Sequence, residues 1–172
     1  TPSSPTGPTA PFEGGMYAFT EASSGVAGAI AELTMQPIDV SALAVPALTF
    51  YYHMAGPAMG TLNVQASTDG IAYTTVFTLT GPQQAAEADP WLSAFVNLSA
   101  YAGGNLYLRF QGVRGSSFEG DMAIDAISVA EAPVCLVPTG LAQSAISTTS
   151  VTAIWNAESN AGGYNYEVRS SG

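Results

Sequence analysis

The chain has 172 residues, enough for one domain or for one domain and part of another. Charged residues make up only 9 %, against ~25 % in an ordinary globular chain, and the balance is one-sided: 13 acids face three basic residues, Arg109, Arg114 and Arg169, for a net charge of −10. Such a chain repels nucleic-acid phosphates and anionic membranes and attracts cations, and no apolar run approaches the ~20 residues that span a bilayer.

The opening "TPSSPTGPTAP" lacks the charged start and apolar stretch of a signal peptide. Beyond it, period-two alternation dominates. In "ALTFYYHM" the residues Leu48, Phe50, Tyr52 and Met54 point one way, and Thr49, Tyr51 and His53 the other. "GTLNVQAS" alternates Leu62, Val64 and Ala66 with Thr61, Asn63, Gln65 and Ser67. "AYTTVFTLTG" places Tyr73, Thr75, Phe77 and Leu79 on one face. Trp91, after Pro90, starts a further strand, and "NLYLRFQGV" sets Leu106, Leu108 and Phe110 opposite Tyr107, Arg109 and Gln111. The connecting stretches "AGPAMG", "STDG", "TGPQQ", "YAGGN" and "RGSSFEG" carry turn chemistry, with Asp69-Gly70 suited to a hairpin. "AAEADP" is at most one helical turn. Regularly spaced strands with Gly/Pro turns predict an all-β antiparallel jelly-roll-like sandwich.

After "DMAIDAISVA" the two prolines of "AEAPVCLVP" break the pattern over residues 130–138. Three further strands follow, around Leu141–Ser144, Ser150–Trp155 and Tyr164–Arg169, too few to bury a core alone. The expected organisation is a sandwich over 1–131, a linker over 132–138 and the first part of a second domain over 139–172.

Catalytic constellations are scarce. His53 is the single histidine and Cys135 the single cysteine, which excludes zinc sites with several imidazoles and an internal disulfide. No serine stands in a nucleophile-elbow context that would pair with His53. His53 falls on the more polar strand face, where a non-catalytic histidine bonding a neighbour is expected.

The ordered set of "GGMYAFTEASS", "LTFYYHMAGPAMGTLNVQASTDG", Trp91, Arg109-Phe110, Gly112, Gly115 and "DMAID" resembles the MAM family, in the form common in secreted bacterial surface proteins. The resemblance covers roughly residues 7–130. It implies a jelly-roll-like β-sandwich serving as an extracellular adhesion or interaction module. "VPTGL", "SVTAIWN" with Trp155, and "YNYEVRSSG" resemble the first three strands of a fibronectin type III domain. The chain departs from the MAM pattern at its start, where a leading strand with an acidic–aromatic pair and a tryptophan is normal, and in lacking the family's cysteines. A fragment of a longer secreted protein is therefore expected. A sharper reading has the parent chain or another chain supply missing edge strands.

Two acids share parity with apolar neighbours: Glu21 with Tyr17 and Phe19, and Asp125 with Ile127 and Val129. A carboxylate facing the core needs a partner, and with three arginines in the chain a hard cation is a candidate. Glu13, before Gly14-Gly15, could join them. The resemblance maps a structural Ca²⁺ between first and last strands onto these positions. The competing reading makes Met122, Ile124 and Ala126 the inner face and leaves Asp125 in water. Glu119 and Asp121, around Gly120, read as solvated loop acids. Asn97-Leu98-Ser99 matches a glycosylation sequon, a short motif that recurs by chance.

Three function classes follow. The first is a non-catalytic extracellular module binding a protein or glycan at a cell surface, with no nucleic acid and no membrane insertion. The second is a carbohydrate-binding module of a secreted hydrolase, using Tyr51, Trp91 and Tyr107. The third, a two-carboxylate glycosidase, lacks closely spaced acids on one strand face. The expected location is extracellular or on a bacterial cell surface.

Overall fold

A computed structural model of the chain describes residues 2–133 and 139–156. The chain folds into two compact units, Thr1–Glu131 and Ala132–Gly172. The expected strand around Tyr164–Arg169, and Cys135, lie outside the described residues.

The first unit is an antiparallel β-sandwich, as the alternation requires. Its strands are β1 (Ala18–Phe19), β2 (Ile30–Thr34), β3 (Ile38–Asp39), β4 (Pro46–His53), β5 (Thr61–Ser67), β6 (Thr74–Thr80), β7 (Leu92–Asn97), β8 (Asn105–Val113) and β9 (Ala123–Glu131). One sheet has the order β1-β9-β4-β7, the other β2-β8-β5-β6, with β3 also pairing with β8. No α-helix occurs among the described residues; Ser99–Tyr101 makes one 3-10 turn.

The core lies between the sheets, where the predicted apolar faces meet. Leu48, Phe50, Tyr52 and Met54 of the first sheet pack against Leu62, Val64, Leu106, Leu108 and Phe110 of the second. Phe50 is fully buried, with Phe77 and Phe110 edge-on to it at ring distances of 5.7 and 5.1 Å. Burying rings of this size contributes a large part of the hydrophobic stabilisation, at roughly 25 cal/mol per Å² of apolar area.

Two predicted faces are split by bulges. On β6, the register with β5 shifts between Val64 and Gln65, so Val76 is the extra residue. Phe77 and Leu79 reach the core, whereas Thr75 bonds Gln65 on the outer face and Tyr73 lies under the Arg109 guanidinium at 4.3 Å. On β9 the register with β4 shifts opposite Phe50, and Ala126 takes φ 49°. Before the bulge Met122 and Ile124 are buried; after it Ile127 and Val129 pack against the core. The competing reading holds for Met122 and Ile124, which face inward, and for the outward Asp125, which bonds Phe12 and Glu13 instead of lying free in water; the reading that buried Asp125 needs correction. The aliphatic residues that share its parity do face inward, but Asp125 precedes the inversion and faces outward.

Close backbone approach explains several glycines at the "AGPAMG" and "RGSSFEG" turns. A Cβ on Gly115 would collide with the Ala58 carbonyl, and one on Gly60 with the Val113 carbonyl. In the second unit, β10 (Thr139–Ile146) and β11 (Val151–Asn156) form an antiparallel hairpin.

Candidate functional site

The polar face of β4 is covered progressively along its length: Thr49 is exposed, Tyr51 half-buried and His53 buried. Residues 8–17 cross it. Phe12 stacks on Tyr51 with ring centroids 3.5 Å apart, and the backbone N–H groups of Phe12 and Glu13 donate to Asp125 Oδ2 at 2.9 and 3.2 Å. Trp91 Nε1 donates to the Ala10 carbonyl at 3.0 Å, and its ring meets Tyr17 edge-on. His53, next to Trp91, is 0 % exposed rather than on an open surface. Its Nε2 lies 3.1 Å from the Asp89 carbonyl and its ring is edge-on to Trp91 at 5.8 Å. A carbonyl only accepts, so Nε2 carries the proton and Nδ1 holds the lone pair. Nδ1 is buried without a hydrogen-bond partner. Burial holds the imidazole below its ordinary pKa, partly opposed by the bond to Asp89. A general base must present its lone pair to a substrate; this one faces the protein interior.

The three expected metal ligands do not converge. Glu13 and Asp125 meet through a backbone bond at one point of the sheet. Glu21 lies at another, where its Oε1 accepts from Ser23 N at 2.9 Å and from Ser3 Oγ at 3.4 Å. No group of three His, Cys, Asp or Glu side chains suited to a metal occurs among the described residues. The acid beside Glu21 is Asp121, four residues before Asp125 and therefore about 13 Å from it along an extended chain.

Asp121, expected as a solvated loop acid, is instead 0 % exposed. Oδ1 accepts from Ala22 N at 2.6 Å and Oδ2 from Ser3 N at 2.7 Å. Its own N–H donates to Thr6 Oγ1, which in turn donates to the Ala55 carbonyl. Desolvation raises its pKa, the two backbone bonds oppose this, and the Glu21 charge adds to the rise. Arg114 does not neutralise the pair: its Nε donates to the Ala22 carbonyl and its Nη1 to the Gly115 carbonyl. The sequence clue to Asp121 is parity with buried Ala123, outweighed by the neighbouring glycine.

The aromatic residues proposed for sugar binding are not one platform. Tyr51 and Trp91 belong to the outer side of the first sheet, and Tyr107 to β8 of the second, where its ring closes over Gly70. Arg109 pairs with Glu32 across the second sheet at 3.3 Å.

A groove of ≈ 230 Å³ opens between the sheet edges formed by β1 and β2. Phe19, Ala31, Leu33, Phe110, Met122 and Ile124 line it, so its walls are mostly apolar.

The two antiparallel sheets and the core between them define the chain's first unit as a β-sandwich domain. A family model, "MAM domain, meprin/A5/mu", matches residues 2–135, and the chain belongs to this family. The MAM domain-containing glycosylphosphatidylinositol anchor protein 1 of Gallus gallus is 35 % identical over 130 residues, covering 72 % of this chain and 13 % of that protein. Thyroid hormone-induced protein B of Xenopus laevis is 33 % identical over 135 residues, covering 77 % and 19 %. The chain thus spans less than a fifth of the length of these relatives. Among solved structures, the K1 cleaved adhesin domain of Lys-gingipain from Porphyromonas gingivalis W83 superposes with a TM-score of 0.51 at 19 % identity, covering 68 % of this chain and 75 % of that one. At this identity the likeness concerns the fold alone.

Proposed function

We propose that this chain is a non-catalytic extracellular interaction module, part of a larger secreted or bacterial cell-surface protein, with its second unit the beginning of a fibronectin type III domain. Membership of the MAM family carries the reading: the relatives are far longer, and several are by name glycosylphosphatidylinositol anchor proteins. The enclosure of His53 supports the non-catalytic part. The test coats beads with the chain and measures their attachment to cells or to extracellular matrix, against beads carrying an unrelated acidic β-sandwich. Attachment above that control is expected. Equal attachment, or a hydrolytic activity that disappears in His53→Gln, would overturn the reading.

Calcium belongs to this proposal at a different place from the one the sequence suggested. Glu21 and Asp121 are carboxylates, the hard oxygen ligands that suit Ca²⁺, and Asp121 is fully buried. An ion held there would tie the segment around Ser3 and Ala22 to the start of β9 and would stabilise the folded state by mass action. The expected result is a higher melting temperature in excess calcium than in excess chelator, a difference lost in Glu21→Gln. Equal melting in both solutions removes calcium from the proposal.

A further inference from the structure

The groove beside β2 combines two features that together select one kind of ligand. The first is a strand edge that is unpaired among the described residues. β2 is the terminal strand of its sheet, and all five of its residues are exposed. Arg114 N donates to the Ala29 carbonyl at 2.8 Å, and Met35 N to the Leu108 carbonyl at 2.9 Å. In an antiparallel ladder, residues that exchange bonds with the neighbour alternate with residues that do not. The odd residues therefore bond to β8, and the backbone N–H and C=O groups of Ile30, Glu32 and Thr34 point away from the sheet. The second feature is the apolar slot under that edge, into which Ala31 and Leu33 face together with Phe19 and Phe110. Around it Ile30 is 60 % exposed, Leu33 43 % and Phe19 38 %. A sugar or lipid can fill a slot, but only an extended peptide also satisfies a row of alternating backbone donors and acceptors.

Charge narrows the choice further. A second copy pairing β2 with β2 about a twofold axis at Glu32 would set that acid opposite itself, between chains that each carry −10. Glu32, which also pairs with Arg109, and Glu21 stand along the groove and its continuation past Ala31 and Gly112, on a chain of net charge −10. The fitting occupant alternates apolar residues, which enter the slot, with basic residues, which face the acidic rim.

We infer that β2 is a docking edge for an extended, basic and apolar-alternating peptide segment of a partner protein, which adds to the sheet as a further strand and seats its apolar side chains between β1 and β2. This inference rests on the interaction-module reading and names its mode of binding.

The test titrates the isotopically labelled chain with a synthetic peptide of about nine residues alternating Val and Lys, long enough to span β2. Three comparisons accompany it: the same peptide N-methylated at alternate residues, its counterpart with Glu in place of Lys, and the variants Ala31→Trp, which fills the slot, and Thr34→Pro, which removes one outward N–H. Thermal melting confirms that each variant is folded. The expected result is amide shifts confined to residues 18–20, 29–35 and 108–114, with affinity falling about tenfold or more on N-methylation, on reversal of the peptide charge and in both variants. Absence of binding at millimolar peptide, equal binding of the N-methylated peptide, or shifts elsewhere would overturn the inference. A concentration-dependent dimer in sedimentation that disappears in Ala31→Trp would overturn it in favour of a second copy. Failure of the peptide while chain-coated beads still attach would sink the docking edge and leave the module reading standing.

Discussion

His53 shows how far a side chain's environment departs from its strand face. It lies on the polar side of β4, yet Trp91 and the loop carrying Asp89 close over it. Removing a fully buried ring leaves a cavity and an unpaired Asp89 carbonyl, so His53→Ala is expected to destabilise the fold by about 2–4 kcal/mol, read by urea denaturation. Its pKa is lowered in the folded state by desolvation. The neutral ring therefore contributes stability that is fully present above the unfolded value of 6.5 and is lost as pH falls through that value toward the folded one. Denaturation midpoints of the parent chain should drop between pH 7 and 5 more than those of His53→Gln; parallel curves would refute this. Ala126 offers the opposite case. Its φ of 49° is strained for any residue with a Cβ, so Ala126→Gly should stabilise by about 0.5–1 kcal/mol, the relief of strain outweighing the entropy glycine adds to the unfolded chain. A loss of stability would mean that the bulge is held by the alanine methyl instead.

At the scale of elements, the bulges on β6 and β9 let one strand serve two faces. Phe77 and Leu79 reach the core while Tyr73 supports Arg109 outside. Met122 and Ile124 face inward on one side of Ala126, and Ile127 and Val129 on the other. Between them Asp125 stays on the outer face, where it accepts the N–H groups of Phe12 and Glu13. The turn after β8 depends on backbone contact without side chains. Gly115→Ala would drive a Cβ into the Ala58 carbonyl, a rigid neighbour, and should destabilise by about 3 kcal/mol in the same denaturation assay. Gly14→Ala is the control for backbone strain: that glycine has φ 61°, and a Cβ there would meet nothing within 4 Å, so it should cost less than Gly115→Ala.

For the whole molecule, the net charge of −10 acts through self-repulsion, since the described residues contain one ion pair, Arg109 with Glu32. Screening should therefore stabilise the fold. Melting temperature is expected to rise as sodium chloride increases from about 0.01 M to 0.15 M, where the Debye length falls from ~30 to ~8 Å. A flat or falling melting temperature would mean that the acids are already compensated, for example by a bound cation.

Local pattern was enough for the antiparallel sandwich, the core faces of β4, β5 and β8, and the family. Period-two alternation and turn chemistry are properties of short stretches, and the ordered motifs survive without knowledge of contacts. The fate of individual polar residues depended instead on segments far apart in the chain. His53 is buried because Trp91 and the loop carrying Asp89, some 36 residues further along the chain, close over it. Asp121 is buried because backbone N–H groups of Ser3 and Ala22, about a hundred residues away in sequence, converge on it. Parity misplaced Asp125 because one extra residue at a bulge exchanges the two faces of a strand, and a bulge at an alanine leaves no mark in composition; Glu21 was misplaced because β1 ends at Phe19, so strand alternation does not extend to it. The same holds for the groove between β1 and β2: alternation says which residues share a face, but which strand edge remains unpaired follows from the order in which the strands assemble.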